Sequence, residues 1–110
     1  MNHENTRLYK LALELVGQCT QLAKRFPPGM GYLADQIRRA SSSVPLNFAE
    51  GSRKSSAKER ARYFGSASGS AREVSAIVDV AHLSEAISAT DREVAKDRCD
   101  HLCAMLYKFH

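Results

Sequence analysis

The chain of 110 residues contains no tryptophan, and only 7% of its residues are aromatic. Its core must therefore be built from small and aliphatic side chains, which allows helices to approach one another closely. No apolar stretch reaches the roughly 18 residues that a membrane-spanning helix requires. The sequence therefore predicts a protein that does not insert into a membrane.

Cysteine is also scarce, since Cys19, Cys99 and Cys103 are the only three, and an odd number does not form a closed disulfide framework. The chain opens on polar residues, and no long apolar run of the kind found in a signal peptide follows them. We therefore expect a reduced, cytoplasmic protein. On a helix His101 points away from Cys99 and Cys103, so neither a metal site nor a cofactor is predicted.

No alternation typical of a β-strand occurs; apolar residues instead recur at steps of three and four along the chain. Pro27, Pro28 and Gly29 interrupt the first of these periodic segments. The pattern predicts four amphipathic helices, at residues 4–26, 31–54, 56–87 and 90–109.

Two helix starts carry a recognisable pattern. Ser56 precedes Glu59 by three residues, and Thr90 precedes Glu93 by three residues, which is the spacing of a capping box. We expect the third and fourth helices to begin there. Short connections between long helices favour antiparallel neighbours, so the predicted fold is an all-α, up-down-up-down antiparallel four-helix bundle that forms a single domain over residues 1–110.

Positive charge is unevenly distributed along the chain, whose formal net charge is +4. Between positions 38 and 72 eight basic residues face only Glu50 and Glu59, which gives this segment +6 and leaves −2 for the rest. Such a concentrated positive field attracts polyanions, nucleic acid above all. We interpret these eight residues as candidate nucleic-acid-binding residues: Arg38, Arg39, Arg53, Lys54, Lys58, Arg60, Arg62 and Arg72.

Structural interpretations of the same residues stay open. Arg38 and Arg39 can pair with carboxylates such as Asp35, Glu50 or an acid of a neighbouring subunit. The basic residues between positions 53 and 62 can form an ordinary solvated junction between two helix ends. With few aromatic residues, most of them at packing positions, we expect no platform on which bases stack, and contacts mainly to backbone phosphate.

The second predicted helix contains an internal proline. Pro45 lacks an N–H and clashes with the carbonyl of Ser41, so we expect a bend or a loosened turn nearby. Hydroxyls of the serines at 41–43 can satisfy the freed carbonyls. Asn47 and Glu50, one turn apart in a segment that otherwise packs, are expected to make structural hydrogen bonds.

No constellation of residues predicts an enzyme. His82 lies at helical spacing from Asp79 and Glu85, but nothing near it supplies a nucleophile or oxyanion donors, so we expect a surface ion pair. Residues 65–71 are all small and stand within a periodic apolar pattern. We expect them, including the Gly-x-x-x-Gly spacing of Gly65 and Gly69, to mark a close contact between soluble helices.

The run from Gln36 to Ser52, followed by the small-residue stretch at 67–73, resembles a family of four-helix proteins encoded by intervening sequences in bacterial 23S ribosomal RNA genes. The run contains, in the order typical of that family, arginine-alanine, serine, valine-proline, asparagine and alanine-glutamate-glycine. The resemblance covers essentially the whole chain. Its structural motif corresponds here to Pro45, Asn47, Glu50 and Gly51.

The same family includes the accessory variability proteins of diversity-generating retroelements, which form pentameric barrels with a basic surface, bind nucleic acid and associate with a reverse transcriptase. The resemblance implies a homo-oligomer, with a pentamer favoured, that binds RNA or DNA without catalysing a reaction. We therefore expect a non-catalytic nucleic-acid-binding oligomer whose basic surface lies on the second and third helices. The alternative is a protein-protein adaptor that docks a partner enzyme such as a reverse transcriptase.

Overall fold

The computed structural model describes residues 2–109 and forms a bundle of four α-helices. The helices are α1 (His3–Lys24), α2 (Gly31–Ser52), α3 (Ala57–Leu83) and α4 (Ala89–Tyr107). Helices α1 and α3 each contact both α2 and α4, while the diagonal pairs lie further apart. The predicted all-α four-helix bundle is confirmed, and its body measures 45 × 22 × 17 Å.

The core consists of aliphatic side chains and many alanines, as the absence of tryptophan predicts. Alanines from three helices are fully buried and let the helix backbones approach closely: Ala12, Ala67, Ala71, Ala81 and Ala95. Between them lie larger side chains with under 2% exposure, among them Leu8, Leu15, Leu22, Ile37, Leu102 and Leu106. Burial of these apolar side chains is the main force that holds the helices together.

Three phenylalanines close the core at one end of the bundle. The ring centroids of Phe48 and Phe64 are 5.3 Å apart, and Phe109 lies edge-on to both, at 6.0 Å and 5.7 Å. Aromatic pairs at such spacing add to the free energy gained from burial alone. This cluster joins the last turns of α2, the first turns of α3 and the residues just after α4.

Serine side chains start α3 and α4. The Ser56 hydroxyl accepts a hydrogen bond from the Glu59 amide at 3.0 Å and donates one to the Glu59 carboxylate at 3.3 Å. The predicted cap at Thr90 is wrong. Ser88 caps α4 by accepting from the Asp91 amide at 3.0 Å, because it is the serine that has the extended backbone an N-cap requires.

Helix α3 ends at Leu83, four residues before the predicted end. The chain leaves the helix through Glu85, whose φ of 62° lies in the left-handed region. Its amide donates to the carbonyl of His82 at 3.0 Å, and the Ala86 amide donates to that of Ala81 at 2.8 Å. This pattern is a Schellman motif, which satisfies carbonyls that the helix end leaves free.

The other three helices also end earlier than predicted, and α4 ends at Tyr107 rather than at residue 109. Helix α1 ends at Lys24 rather than at residue 26, because residues before a proline disfavour the helical backbone, and here Pro27 and Pro28 follow. Helix α2 ends at Ser52 rather than at residue 54, and Arg53 forms its C-cap.

Helix α2 is continuous through the buried Pro45. The predicted role of the neighbouring serines is wrong in detail. The hydroxyls of Ser41 and Ser42 donate one turn back, to the carbonyls of Arg38 and Arg39 at 3.3 Å and 3.2 Å, and not to the carbonyl that Pro45 leaves without its partner.

The small residues at 65–71 divide between two environments. Ala67, Ser68 and Ala71 are buried, in agreement with a close helix contact. Gly69 is exposed, and a Cβ placed on it would meet nothing within 4 Å. Gly69 is therefore not part of a tight contact within the chain, contrary to the prediction from its spacing with Gly65.

Candidate nucleic-acid interface

Five of the eight predicted basic residues gather at one end of the bundle, where α2 ends and α3 begins. They are Arg53, Lys54, Lys58, Arg60 and Arg62. The Phe48, Phe64 and Phe109 cluster lies beneath them. We call this end of the bundle the basic end; it also includes α1 residues 3–14 and, from the end of α4 onward, residues 101–109.

Glu50 neutralises part of this charge. Its carboxylate accepts from Arg53 Nη2 at 2.7 Å and lies 3.2 Å from Lys54 Nζ. Hydrogen bonds from Lys54 and Arg53 hold the pKa of Glu50 below its usual value. The Lys54 ammonium also lies 5.4 Å from the centre of the Tyr63 ring. Both cations are thus positioned beside the bundle end, and Glu50 forms local ion pairs one turn along the chain.

Arg60 makes hydrogen bonds within the protein. Its Nη1 donates to the carbonyl of Lys54 at 3.1 Å and to that of Ser55 at 2.9 Å. Charge-assisted bonds of this kind satisfy carbonyls that follow the end of α2. Arg60 therefore holds the α2–α3 connection in place.

Lys58 and Arg62 are different, because both side chains are exposed on the first turns of α3. Neither forms a salt bridge with any residue between 2 and 109. Arg62 borders a shallow surface depression together with Tyr63 and Ser66. These two cations are available to an anionic partner.

The remaining three predicted arginines do not join this group. Arg38, Arg39 and Arg72 stand near the middle of their helices and face different neighbours. Arg38 lies 3.7 Å from Asp35, an exposed pair of the kind that contributes little to stability. Arg72 faces α4, where its charge acts on the Cys103 thiol. The structure therefore divides the predicted surface into a basic end and three separate arginines.

Arg39 lines an open groove of about 270 Å³ between α2 and α3. Glu73 lines the same groove, so charges of both signs are present in it. Below them, the Ser70 hydroxyl bonds to the Ser43 hydroxyl at 2.9 Å, and the Asn47 amide donates to the Ser43 carbonyl and hydroxyl. This ladder links α2 to α3 and explains the polar residue at 47, whereas the mixed charge makes the groove a poor site for a polyanion.

Sequence reasoning missed three cations at the basic end. Arg7, Lys10 and Lys108 line adjoining grooves between α1 and α4, together with His101, Met105 and Phe109 and with the acids Glu4 and Glu14. None of the three forms a salt bridge with the residues that the structure describes. Arg7 and Lys108 stand about a hundred positions apart in the chain, so only the antiparallel packing of α1 and α4 brings them together.

Counting all charges at the basic end shows how strongly the fold concentrates them. The eight basic residues there are Arg7, Lys10, Arg53, Lys54, Lys58, Arg60, Arg62 and Lys108, and the four acids are Glu4, Glu14, Glu50 and Glu59. The net charge of this end is therefore +4. Since the whole chain also carries +4, the remainder of the protein is left with no net charge.

A large aromatic side chain is exposed at the same end. Tyr107, in the last turn of α4, exposes 78% of its surface and directly precedes Lys108. The ring lies at the same end of the bundle as the basic residues. The low aromatic content of the sequence does not reveal which few rings stay exposed.

The predicted ion pair of His82 is wrong. Asp79 instead accepts from Arg92 Nε at 2.8 Å and from Lys96 Nζ at 2.9 Å. These hydrogen bonds, from Lys96 and then Arg92, lower the pKa of Asp79. Both partners come from α4, so this network ties α3 to α4.

The cysteines pack as small apolar side chains. Burial raises the pKa of Cys19 to about 11 and that of Cys99 to about 12, and it also raises the pKa of the half-buried Cys103. No group of three potential metal ligands occurs among residues 2–109. Within the described part of the chain, none of the helices is long and apolar enough to span a membrane.

Comparisons with known proteins place this bundle in a family. A solved structure from Bacteroides thetaiotaomicron VPI-5482, described as a protein with unknown function from the S23 ribosomal protein family, matches with a TM-score of 0.85 and 17% identity, over 92% of this chain and 95% of that chain. At that identity the similarity concerns the fold. No curated protein matches the chain. The model of the 23S rRNA-intervening sequence protein family matches residues 4–108, and the chain therefore belongs to that family.

Proposed function

We propose that this protein binds the phosphate backbone of RNA or DNA through the basic end of its bundle, as a non-catalytic homo-oligomer. One observation carries the proposal: the fold collects the whole net charge of +4 at one end and leaves the rest of the chain without net charge. Cations gathered in this way attract phosphates and release the counterions condensed on a nucleic acid.

The cations of the basic end differ in availability. Arg53 and Lys54 share the Glu50 carboxylate, and Arg60 is bonded to backbone carbonyls. Lys58 and Arg62 are exposed and form no salt bridge within residues 2–109. Binding therefore depends most directly on Lys58 and Arg62, with the others adding to the local potential.

The experiment is a salt titration of binding to labelled RNA and DNA oligonucleotides, followed by fluorescence anisotropy. We expect Lys58→Gln with Arg62→Gln to weaken binding and to reduce the slope of log affinity against log salt by about 0.7–0.9 for each phosphate that the variant no longer neutralises. Arg60 is left unchanged in this variant because its removal would open the α2–α3 connection.

Lys24→Gln with Arg25→Gln is the matched control, since it removes the same charge at the opposite end of the bundle. It should lower the affinity much less than the variant at Lys58 and Arg62. A wild-type protein that binds neither nucleic acid at low salt, or an equal weakening of binding in both variants, would contradict the proposal.

The oligomeric part of the proposal is supported by apolar side chains that the single chain leaves exposed. Leu46 on α2 exposes 67% of its surface and Val80 on α3 exposes 46%. Self-association would bury them and place several basic ends in one particle. Sedimentation should report a multiple of the 12.2 kDa chain mass, with five copies favoured by the family resemblance, and a monomer would contradict this part.

The adaptor function remains a second candidate because of the opposite end of the bundle. Tyr32 and Leu83, at the start of α2 and the end of α3, are both largely exposed there and far from the basic end. A separate apolar surface of this kind suits a protein partner such as the reverse transcriptase of a retroelement. Binding of a reverse transcriptase without any binding of nucleic acid would favour this function over the first.

A further inference from the structure

We propose that the basic end prefers a single strand over a duplex, with an unpaired base stacked on Tyr107 and its phosphates held by Arg7 and Lys108. This inference rests on the proposed function and names the form of nucleic acid bound. It starts from the exposure of Tyr107, which is 78%, against 62% for Tyr32, the other strongly exposed tyrosine.

The location of Tyr107 gives it a role that Tyr32 does not have. Tyr107 stands in the last turn of α4, within the basic end, and Lys108 follows it directly. Tyr32 stands at the start of α2, at the opposite end of the bundle. Only Tyr107 therefore combines an exposed ring with the cations that hold a phosphate backbone.

Arg7 and Lys108 supply those cations on the α1 side. Both line the same groove, with Phe109 and Met105 as its apolar lining and Glu4 as its acid. Neither cation forms a salt bridge with any other described residue. Tyr107 does not itself line this groove, but Lys108 follows it directly, so a strand whose base stacks on Tyr107 would pass Lys108 on its way into the groove.

The position of Phe109 keeps this arrangement rigid. Its ring packs against Phe48 and Phe64, so the residues that follow α4 are held against α2 and α3. Tyr107 and Lys108 are thus presented from an ordered segment. Presentation on an ordered segment reduces the entropy lost when a flexible strand binds.

The chemistry favours single strands because stacking on a side chain requires an unpaired, exposed base, whereas phosphate contacts are available in both forms. Base–aromatic stacking is sequence-tolerant, and its removal typically costs from about five-fold to more than a hundred-fold in affinity for each base. The duplex, whose bases are already stacked, gains from the cations alone.

The test compares the affinities of the full-length chain for a labelled single-stranded RNA and for the matching duplex. Tyr107→Ala should weaken single-strand binding by about five-fold or more and leave duplex binding unchanged, while Tyr107→Phe, which keeps the ring, should bind as the wild type does. Tyr32→Ala is the control and should change neither affinity.

Arg7→Gln with Lys108→Gln should weaken binding of both forms and reduce the salt dependence, because it removes phosphate contacts without touching the ring. An equal weakening of single-strand and duplex binding in Tyr107→Ala would overturn the stacking role. Unchanged binding in the Arg7 and Lys108 variant, with weaker binding in the Lys58 and Arg62 variant, would overturn the inference and leave the proposed function intact.

Discussion

Gly51 of α2 lies so close to Phe64 of α3 that a Cβ placed on the glycine would be 2.8 Å from the Cε1 of that ring. The same Cβ would be 2.8 Å from the Cβ of Tyr63. Glycine is therefore required here by the approach of two helices, and this explains its place at the end of the family motif. The contact also fixes the distance between Phe64 and Phe48, which lies one turn before Gly51.

We expect Gly51→Ala to lower the free energy of unfolding by about 1–3 kcal/mol, because the added methyl group has to displace a ring and a helix backbone. Urea denaturation followed by circular dichroism, at one protein concentration, measures this change.

Gly69→Ala is the matched control. Gly69 is also helical, but its Cβ would meet nothing within 4 Å, so this substitution should raise stability by up to about 1 kcal/mol through helix propensity. If both variants shifted the midpoint in the same direction, the close approach at Gly51 would not be the cause.

Glu85 is the only residue other than glycine with a positive φ between residues 2 and 109, and it ends α3 in the left-handed region. We expect Glu85→Gly to stabilise the protein by roughly 0.5–1 kcal/mol, since glycine adopts this backbone without the steric penalty of a Cβ. Glu85→Ala removes the same charge but keeps the Cβ, and it should give no such gain in thermal or urea denaturation.

This turn also shows where sequence reasoning about the fold reaches its limit. Periodicity predicts four helices because each buries a stripe of aliphatic side chains or alanines, as at Ala67 and Ala71. It extends α3 to residue 87, because Glu85 carries no glycine signal for a helix end. Sequence reasoning also misses the cap at Ser88. Ser88 and Asp91 have the same three-residue spacing as Thr90 and Glu93, and only the local backbone shows which of the two pairs begins the helix.

For the candidate site, counting charges along the chain finds the α2–α3 corner but not its neighbours. Lys58 and Arg62 are close in sequence and lie on the same helix, so a linear count detects them. Arg7 and Lys108 join them only after the bundle closes. The same count includes Arg38, although Arg38 stands near the middle of α2 and not at the basic end.

The buried thiols allow a prediction about reactivity and pH. Attack on a disulfide reagent requires the thiolate, and burial keeps the pKa of Cys19 near 11 and that of Cys99 near 12. We expect Cys103, which is half-buried and donates to the Ser68 carbonyl at 3.7 Å, to react first in the native protein at mildly alkaline pH. A time course of thiol titration should show one fast and two slow groups.

The pKa shifts of the buried thiols also have a defined sign for stability. The pKa of Cys19 and that of Cys99 are raised on folding, so the contribution of these thiols to stability is complete below the ordinary value of 9.0 and disappears as the pH rises toward about 11–12.

In the thiol titration, replacement of Cys103 by serine should remove the fast phase and leave both slow phases, while urea should make all thiols react rapidly. Three equally fast thiols in the native state would show that Cys19 and Cys99 are not enclosed by the bundle.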